Sequence, residues 1–267
     1  MKHILFFITH KTLDREHCEL SFKSIQNQVS TQMIFDVMYI YNTHQQEFPN
    51  EIVVDLYKEY GLEKFAPTLR IFNYDENSHK SLGQDIENII SYVAKHYELE
   101  DRILFLKSDC VLSKNYFQDI FDLPQDRPVY FTAPFVCAKS RVDNDRILEY
   151  TMRDIFVPSD DITFFTEDRH GPENSDLVHR KDVAITDASI LFFACYVIGD
   201  WSCHLISAGL FHLLAIGKQS WGGVGLQGLE PYFVETGRSF VVHKYHDIKS
   251  ENRSEDRWGP VHTWLNS

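Results

Sequence analysis

The segment Asp101-Arg-Ile-Leu-Phe-Leu-Lys-Ser-Asp-Cys-Val-Leu-Ser113 carries an apolar run, Ile103 to Leu106, that stops abruptly on Lys107, Ser108 and Asp109. A cation and a carboxylate two residues apart at the end of a core strand can meet a small charged ligand, one supplying a positive centre and the other a hard oxygen. The ordinary alternative is a solvated turn in which Asp109 caps the next helix, expected over Asn115 to Phe121. The surrounding elements bear on the choice, because in open parallel sheets ligands bind beyond the carboxyl ends of the strands.

Those elements alternate. His3 to Ile8 is a short apolar run that reads as a strand buried on both faces. Cys18, Phe22, Ile25 and Val29 then recur at helical spacing behind the possible caps Thr12 and Asp14. Ile34 to Tyr41, rich in β-branched and aromatic residues, reads as a second strand, and Glu51 to Tyr60 as a helix ended by Gly61. Thr68 to Asn73 is a third strand. Ser81 and Gln84 form a capping box ahead of a helix whose face carries Ile86, Ile89, Ile90, Val93 and Tyr97, and Arg102 to Leu106 is the fourth strand. The β-α-β-α-β-α-β order predicts an α/β fold with a mostly parallel sheet flanked by helices, and places Lys107 and Asp109 just past a strand end.

The second half is less regular. Val129 to Phe135 and Ser189 to Ile198 read as buried strands, Arg146 to Phe156 as a helix, Leu205 to Ile216 as an apolar helix of small residues, and Ser239 to Tyr245 as a late strand. Ser159 to Asp182 is polar with little periodicity and reads as a long loop or insertion.

Composition narrows the partners. The 267 residues carry a formal charge of -13 with no Lys/Arg-rich block, which argues against nucleic acid. The five cysteines, Cys18, Cys110, Cys137, Cys195 and Cys203, form no C-x-x-C pair and read as reduced core residues. The opening residues lack a cleavage site, and Ala184 to Ile198 is too short and too interrupted to span a membrane. A cytoplasmic protein without an integral membrane segment is expected. P-loop and G-x-S-x-G motifs are absent from the sequence.

Three stretches resemble the GT-A class of nucleotide-sugar glycosyltransferases, especially the inverting family-2-like group with one Rossmann-like domain. Ile4 to His10 with Ser21-Phe-Lys-Ser-Ile-Gln-Asn-Gln28 is similar to the first strand, its nucleotide-contacting turn and the S-x-x-S-I-x-x-Q helix end. Ile34 to Thr43 resembles the second strand, with Tyr41 and Asn42 where the family usually presents an Asp to the base. Ile103 to Phe117 looks like the strand, D-x-D and short-helix segment, except that the triplet is Lys107-Ser108-Asp109. The likeness covers roughly residues 3 to 122 and weakens beyond them.

The resemblance implies a single GT-A domain with residues 1–122 as the nucleotide-sugar-binding half and 123–267 as a less regular acceptor-binding half. It implies a nucleoside-diphosphate sugar donor, a glycan or other hydroxyl acceptor, and a role such as polysaccharide biosynthesis. Donor contacts are expected from Thr9, His10, Asn42, Ser81, Asp85, Lys107, Ser108 and Asp109. A divalent cation, Mn2+ or Mg2+, is expected on Asp109 with His243 or His246, because it neutralises the diphosphate and stabilises the leaving group. Lys107 stands where the family has an acid, which implies a weakened metal requirement.

The family's acidic pair for proton abstraction is missing at the expected spacing. Trp221-Gly-Gly-Val-Gly-Leu-Gln-Gly-Leu-Glu230 echoes only its glycines, so Glu230 is the expected base and Asp200 the reserve. Trp201 and Trp221 are either core aromatics or an acceptor stacking surface. Lys249, Arg253 and Arg257 lie in a solvated tail or in a loop that orders over the diphosphate. Two alternatives stay open: a GT-A-like module that binds nucleotide sugar or glycan without turnover, supported by the lost acids, and a sugar nucleotidyltransferase, which the lack of a Gly-rich basic loop after the first strand disfavours.

Overall fold

The structure is a computed structural model that describes residues 1–9, 15–30, 34–42, 49–72, 89, 91–122, 129–132, 135–138, 142–155, 157, 159–164, 205–209, 211–212, 232–234 and 239–244. Its first half follows the alternating pattern. β1 (His3–Thr9), α1 (Arg15–Gln26), β2 (Val37–Asn42), α2 (Asn50–Glu59) and β3 (Leu69–Ile71) are followed by a helical stretch over 91–96 and by β4 (Arg102–Lys107). The chain continues through β5 (Cys110–Leu112), α3 (Tyr116–Phe121), β6 (Val129–Thr132), β7 (Phe135–Ala138), α4 (Asn144–Thr151), β8 (Ile162–Phe164), β9 (Leu205–Ser207), β10 (Tyr232–Val234) and β11 (Val241–Lys244).

Seven strands form one sheet in the order β10-β6-β9-β4-β1-β2-β3, and four form a second in the order β5-β11-β7-β8. β1 pairs in parallel with β2 and β4, and β2 with β3. β9 runs antiparallel to both β4 and β6, so among the described strands of this sheet it is the reversed one. The fold is therefore Rossmann-like α/β, with a mostly parallel central sheet flanked by helices.

Alternation along the strands divides the core between the two faces of the sheet. Leu5, Phe7, Met38, Ile40, Leu104 and Leu106 face α1 and α2, where they meet Phe22, Ile25, Val53 and Leu56. Phe6, Tyr39 and Phe105 belong to the other face, an aromatic layer in which the Phe6 ring lies 4.8 Å from Tyr39 and 5.4 Å from Phe105. Tyr39 Oη there lies 3.0 Å from Tyr92 Oη and accepts a 2.6 Å hydrogen bond from Tyr97 Oη. Burial, helped by the bond to Tyr39, pushes the Tyr92 phenol up to about 12, so it stays neutral at physiological pH. A further cluster packs Leu20 of α1 and Ile147 and Tyr150 of α4 against Val111, Ala138, Ile162 and Val242 of the smaller sheet.

Several expected elements shift, each for a local reason. The second strand begins at Val37 rather than Ile34, because the Ile34 and Phe35 amides are bound by Phe65 O at 3.2 and 2.8 Å. The expected strand Val129 to Phe135 is two strands in different sheets, β6 and β7; between them lies Pro134, which has no N–H to continue a ladder. Residues 205–207 of the expected helix Leu205 to Ile216 form β9 instead, filling the ladder between β4 and β6, and helical turns start only at Ala208. A short apolar run fits either state until its pairing partner is known. The expected loop from Ser159 holds an edge strand, β8, and the helix expected over Arg146 to Phe156 runs from Asn144 to Thr151 behind an Asp143 cap that accepts from Arg146 N at 2.8 Å. Gly61 does end α2, in the left-handed region at φ 59°.

The Ser81/Gln84 capping box, the caps Thr12 and Asp14, and the strand Ser189 to Ile198 lie outside the described residues. Among those described, no helix is long and apolar enough to cross a membrane.

Candidate functional site

Parallel pairing in register brings the last residues of three strands to one edge. Thr9 ends β1 and Asn42 ends β2; they are register partners, and Thr9 Oγ1 donates to Asn42 Oδ1 at 2.8 Å. Lys107 ends β4 opposite Ile8, and the ladder runs one step further, with Ser108 N donating to Ile8 O at 3.0 Å. Thr9, Asn42, Lys107, Ser108 and Asp109 therefore share the carboxyl edge of the parallel strands, and all five are buried.

Burial decides against a solvated turn at Lys107–Asp109. Lys107 is 6% exposed and Asp109 4%. Nor does Asp109 cap the following helix: α3 begins after Asn115, whose own side chain makes no capping hydrogen bond. Instead the turn carries the chain from one sheet to the other, since β4 belongs to the seven-stranded sheet and Cys110 opens β5 in the four-stranded one. Withdrawing a cation and a carboxylate from water is costly unless charge or hydrogen bonds compensate. The Ser108 hydroxyl between them is buried and has no hydrogen-bond partner among the described residues. A buried hydroxyl in that state favours a ligand able to bond to it.

The second sheet brings a late residue close in register. β11 pairs antiparallel to β5 with His243 opposite Cys110, next in the chain to Asp109. Cys110 Sγ donates to Asp109 Oδ1 at 3.6 Å, a weak contact. A carboxylate such as that of Asp109 is the kind of hard oxygen donor that suits Mn2+ or Mg2+. Among the described residues, no three His, Cys, Asp or Glu side chains gather at a point.

His10, Ser81, Asp85, Asp200, Glu230 and His246 lie outside the described residues, as do Trp201, Trp221, Lys249, Arg253 and Arg257. The strand β5 escaped sequence reasoning. The signal was present in Cys110-Val-Leu112, an apolar triplet too short to separate from the strand before it.

No protein-family model matches the chain, and no curated protein does. Among solved structures, S. aureus TarS, a glycosyltransferase, is similar at 16% identity and a TM-score of 0.34, over 49% of this chain and 21% of that one. The chain thus spans about a fifth of the TarS length, and the overlap bears on neither substrate nor mechanism.

Proposed function

We propose that the protein is a glycosyltransferase that moves a sugar from a nucleoside-diphosphate donor to a glycan or other hydroxyl acceptor, with inversion and metal assistance. The observation that carries this reading is the buried edge where Thr9, Asn42, Lys107, Ser108 and Asp109 converge, with the Ser108 hydroxyl unpartnered among the described residues. Thr9 and Asn42 stand at the mouth of β1 and β2, where the resemblance puts the nucleoside. Lys107 supplies fixed positive charge for the diphosphate. A divalent cation on Asp109, with His243 or His246, would add charge stabilisation for the leaving group.

In the reaction the acceptor oxygen forms a bond to the anomeric carbon while the bond from that carbon to the phosphate oxygen breaks. The nucleoside diphosphate leaves with the electron pair. The acceptor proton passes to a carboxylate, Glu230 in this reading, with Asp200 as reserve. Residues 1–122 form the donor half and 123–267 the acceptor half. A second reading, donor binding without turnover, is favoured by the lysine that stands in place of an acid.

Thermal unfolding with UDP-, GDP- and dTDP-sugars, with and without manganese, tests the reading. One donor at about 100 times its Kd should stabilise the protein by about 2.7 kcal/mol. Asp109→Asn should abolish the manganese-dependent part of that gain and lower turnover about a hundredfold, the size of effect expected when one charge-stabilising group is lost. Lys107→Asp should make activity more dependent on manganese. Donor stabilisation without product in any acceptor mixture would favour the binding module, and an Asp109→Asn variant equal to the parent in metal response and turnover refutes the site.

A further inference from the structure

Four serines and one glutamine link the end of α1 to β5, to the start of α3 and, through Ser113 and Ser239, to the residues that lead into β11. Ser24, fully buried in α1, donates from Oγ to Ser21 O at 2.6 Å and accepts from Leu112 N of β5 at 3.0 Å. Gln28, two residues beyond the helix, is 5% exposed. Its Nε2 donates to Ser24 O at 3.0 Å and to Ser113 O at 2.8 Å, and its Oε1 accepts from Phe117 N at 2.9 Å.

The chemistry of these partners fixes the amide orientation. Two carbonyls need the NH2 group and one N–H needs the oxygen, so a flipped amide loses all three bonds. The partners are 85 and 89 residues away in the chain, at the junction of β5 and α3. From that junction the hydrogen bonds continue to Ser239 and Phe240, the two residues just before β11. Ser113 Oγ accepts from Phe240 N at 2.9 Å, Ser113 N donates to Phe240 O at 3.0 Å, and Ser239 Oγ donates to Asp119 Oδ2 at 2.6 Å.

We propose that Gln28, seated on Ser24, is a positioning residue that holds the Lys107–Asp109 turn and the His243 strand position in one frame. Apolar contacts bind α1 to the sheet through Cys18, Phe22 and Ile25, but such contacts are non-directional and permit sliding. The amide does not permit it, because it bonds at once to the helix end, to the residue after β5 and to the first turn of α3. β5 is three residues long and joins the turn directly, so an error at Ser113 reaches Asp109 within four residues. The same β5 sets the register that puts His243 opposite Cys110.

For the ligand it serves, this inference rests on the proposed donor site; the positioning itself does not. Native-state hydrogen exchange on the full chain reads the positioning without any ligand. Gln28→Met and the milder Ser24→Ala should speed exchange of the Leu112 and Val241 to Lys244 amides at least tenfold, while Met38 to Ile40 in β2 stay within twofold of the parent. Tyr57→Phe, which removes a buried bond to Ala66 O in another part of the fold, is the stability control and should not reproduce that pattern. With manganese and the donor sugar that stabilises the parent, both clamp variants should bind at least tenfold more weakly and the control should bind normally. Exchange that rises equally in β2 and β11, or a Tyr57→Phe variant that weakens donor binding as much, reduces Gln28 to a stabilising residue and overturns the proposal. A parent that binds no nucleotide sugar sinks the proposed function instead, and the exchange pattern still decides the clamp.

Discussion

The two sheets of the molecule are built by different rules. From β1 to β3 successive strands lie side by side with a helix at each crossover, and β4 returns to the other side of β1. In the smaller sheet and around β9, neighbours come from distant parts of the chain: Phe240 bonds to Ser113 across 127 residues. The first region can be assembled from local periodicity, whereas the second exists only once remote segments have met, at the loop-closure cost that distant pairing carries. The Lys107–Asp109 turn belongs to both, because it is where the chain leaves one sheet for the other.

The comparison breaks most readily in the aromatic layer. The Phe6 ring is fully buried against Tyr39, Phe72 and Phe105, and Phe105 lies 5.8 Å from Phe211 of the second half. Phe6→Ala should cost about 3–5 kcal/mol through lost contacts and a cavity. If the regions share one core, urea unfolding followed by tryptophan fluorescence and by far-ultraviolet circular dichroism should show a single coincident transition at lower urea. Two separated transitions would make them independent units.

How much was legible follows from the same contrast. β1, α1, α2 and β4 could be read within a few residues because an apolar period and a breaker suffice when neighbours are local. The Leu205 to Ser207 strand could not, because Leu205-Ile-Ser-Ala-Gly209 states no preference until β4 and β6 enclose it. At the site, the placement of Lys107 and Asp109 beyond a strand end was legible; their burial was not, because it depends on β5 and on β11 from the far end of the chain. Ser24 and Gln28 stood in a recognisable pattern, but their hydrogen bonds reach residues that no local reading connects to them.

A smaller effect sharpens the local side of the comparison. Gly61 sits at φ 59°, and a Cβ there would meet nothing within 4 Å, so only backbone strain opposes substitution. Gly61→Ala should cost about 1–2 kcal/mol, and Gly61→Asn less, since asparagine tolerates the left-handed region. Equal denaturation midpoints for all three proteins would show that α2 does not need this stop.

The smallest effect concerns the amino edge of the same sheet, where His3 opens β1. Burial lowers its pKa below 6.5; the Asp36 carboxylate opposes the shift, and the cations of Arg102 and the amino terminus reinforce it. The ring also meets Phe121 of α3 in a T-shaped contact at 4.6 Å. Because the folded value lies below the unfolded one, the unfolded chain holds more protons between the two. Stability should therefore be intact above pH 6.5 and should fall as the pH drops from there toward the folded value. His3→Gln, which cannot titrate, should flatten that part of the curve, measured as Tm between pH 7.5 and 5.5 in low salt. Parallel curves for the two proteins would mean that other groups set the acid response, and that the edge opposite Lys107 contributes no protonation switch to the sheet.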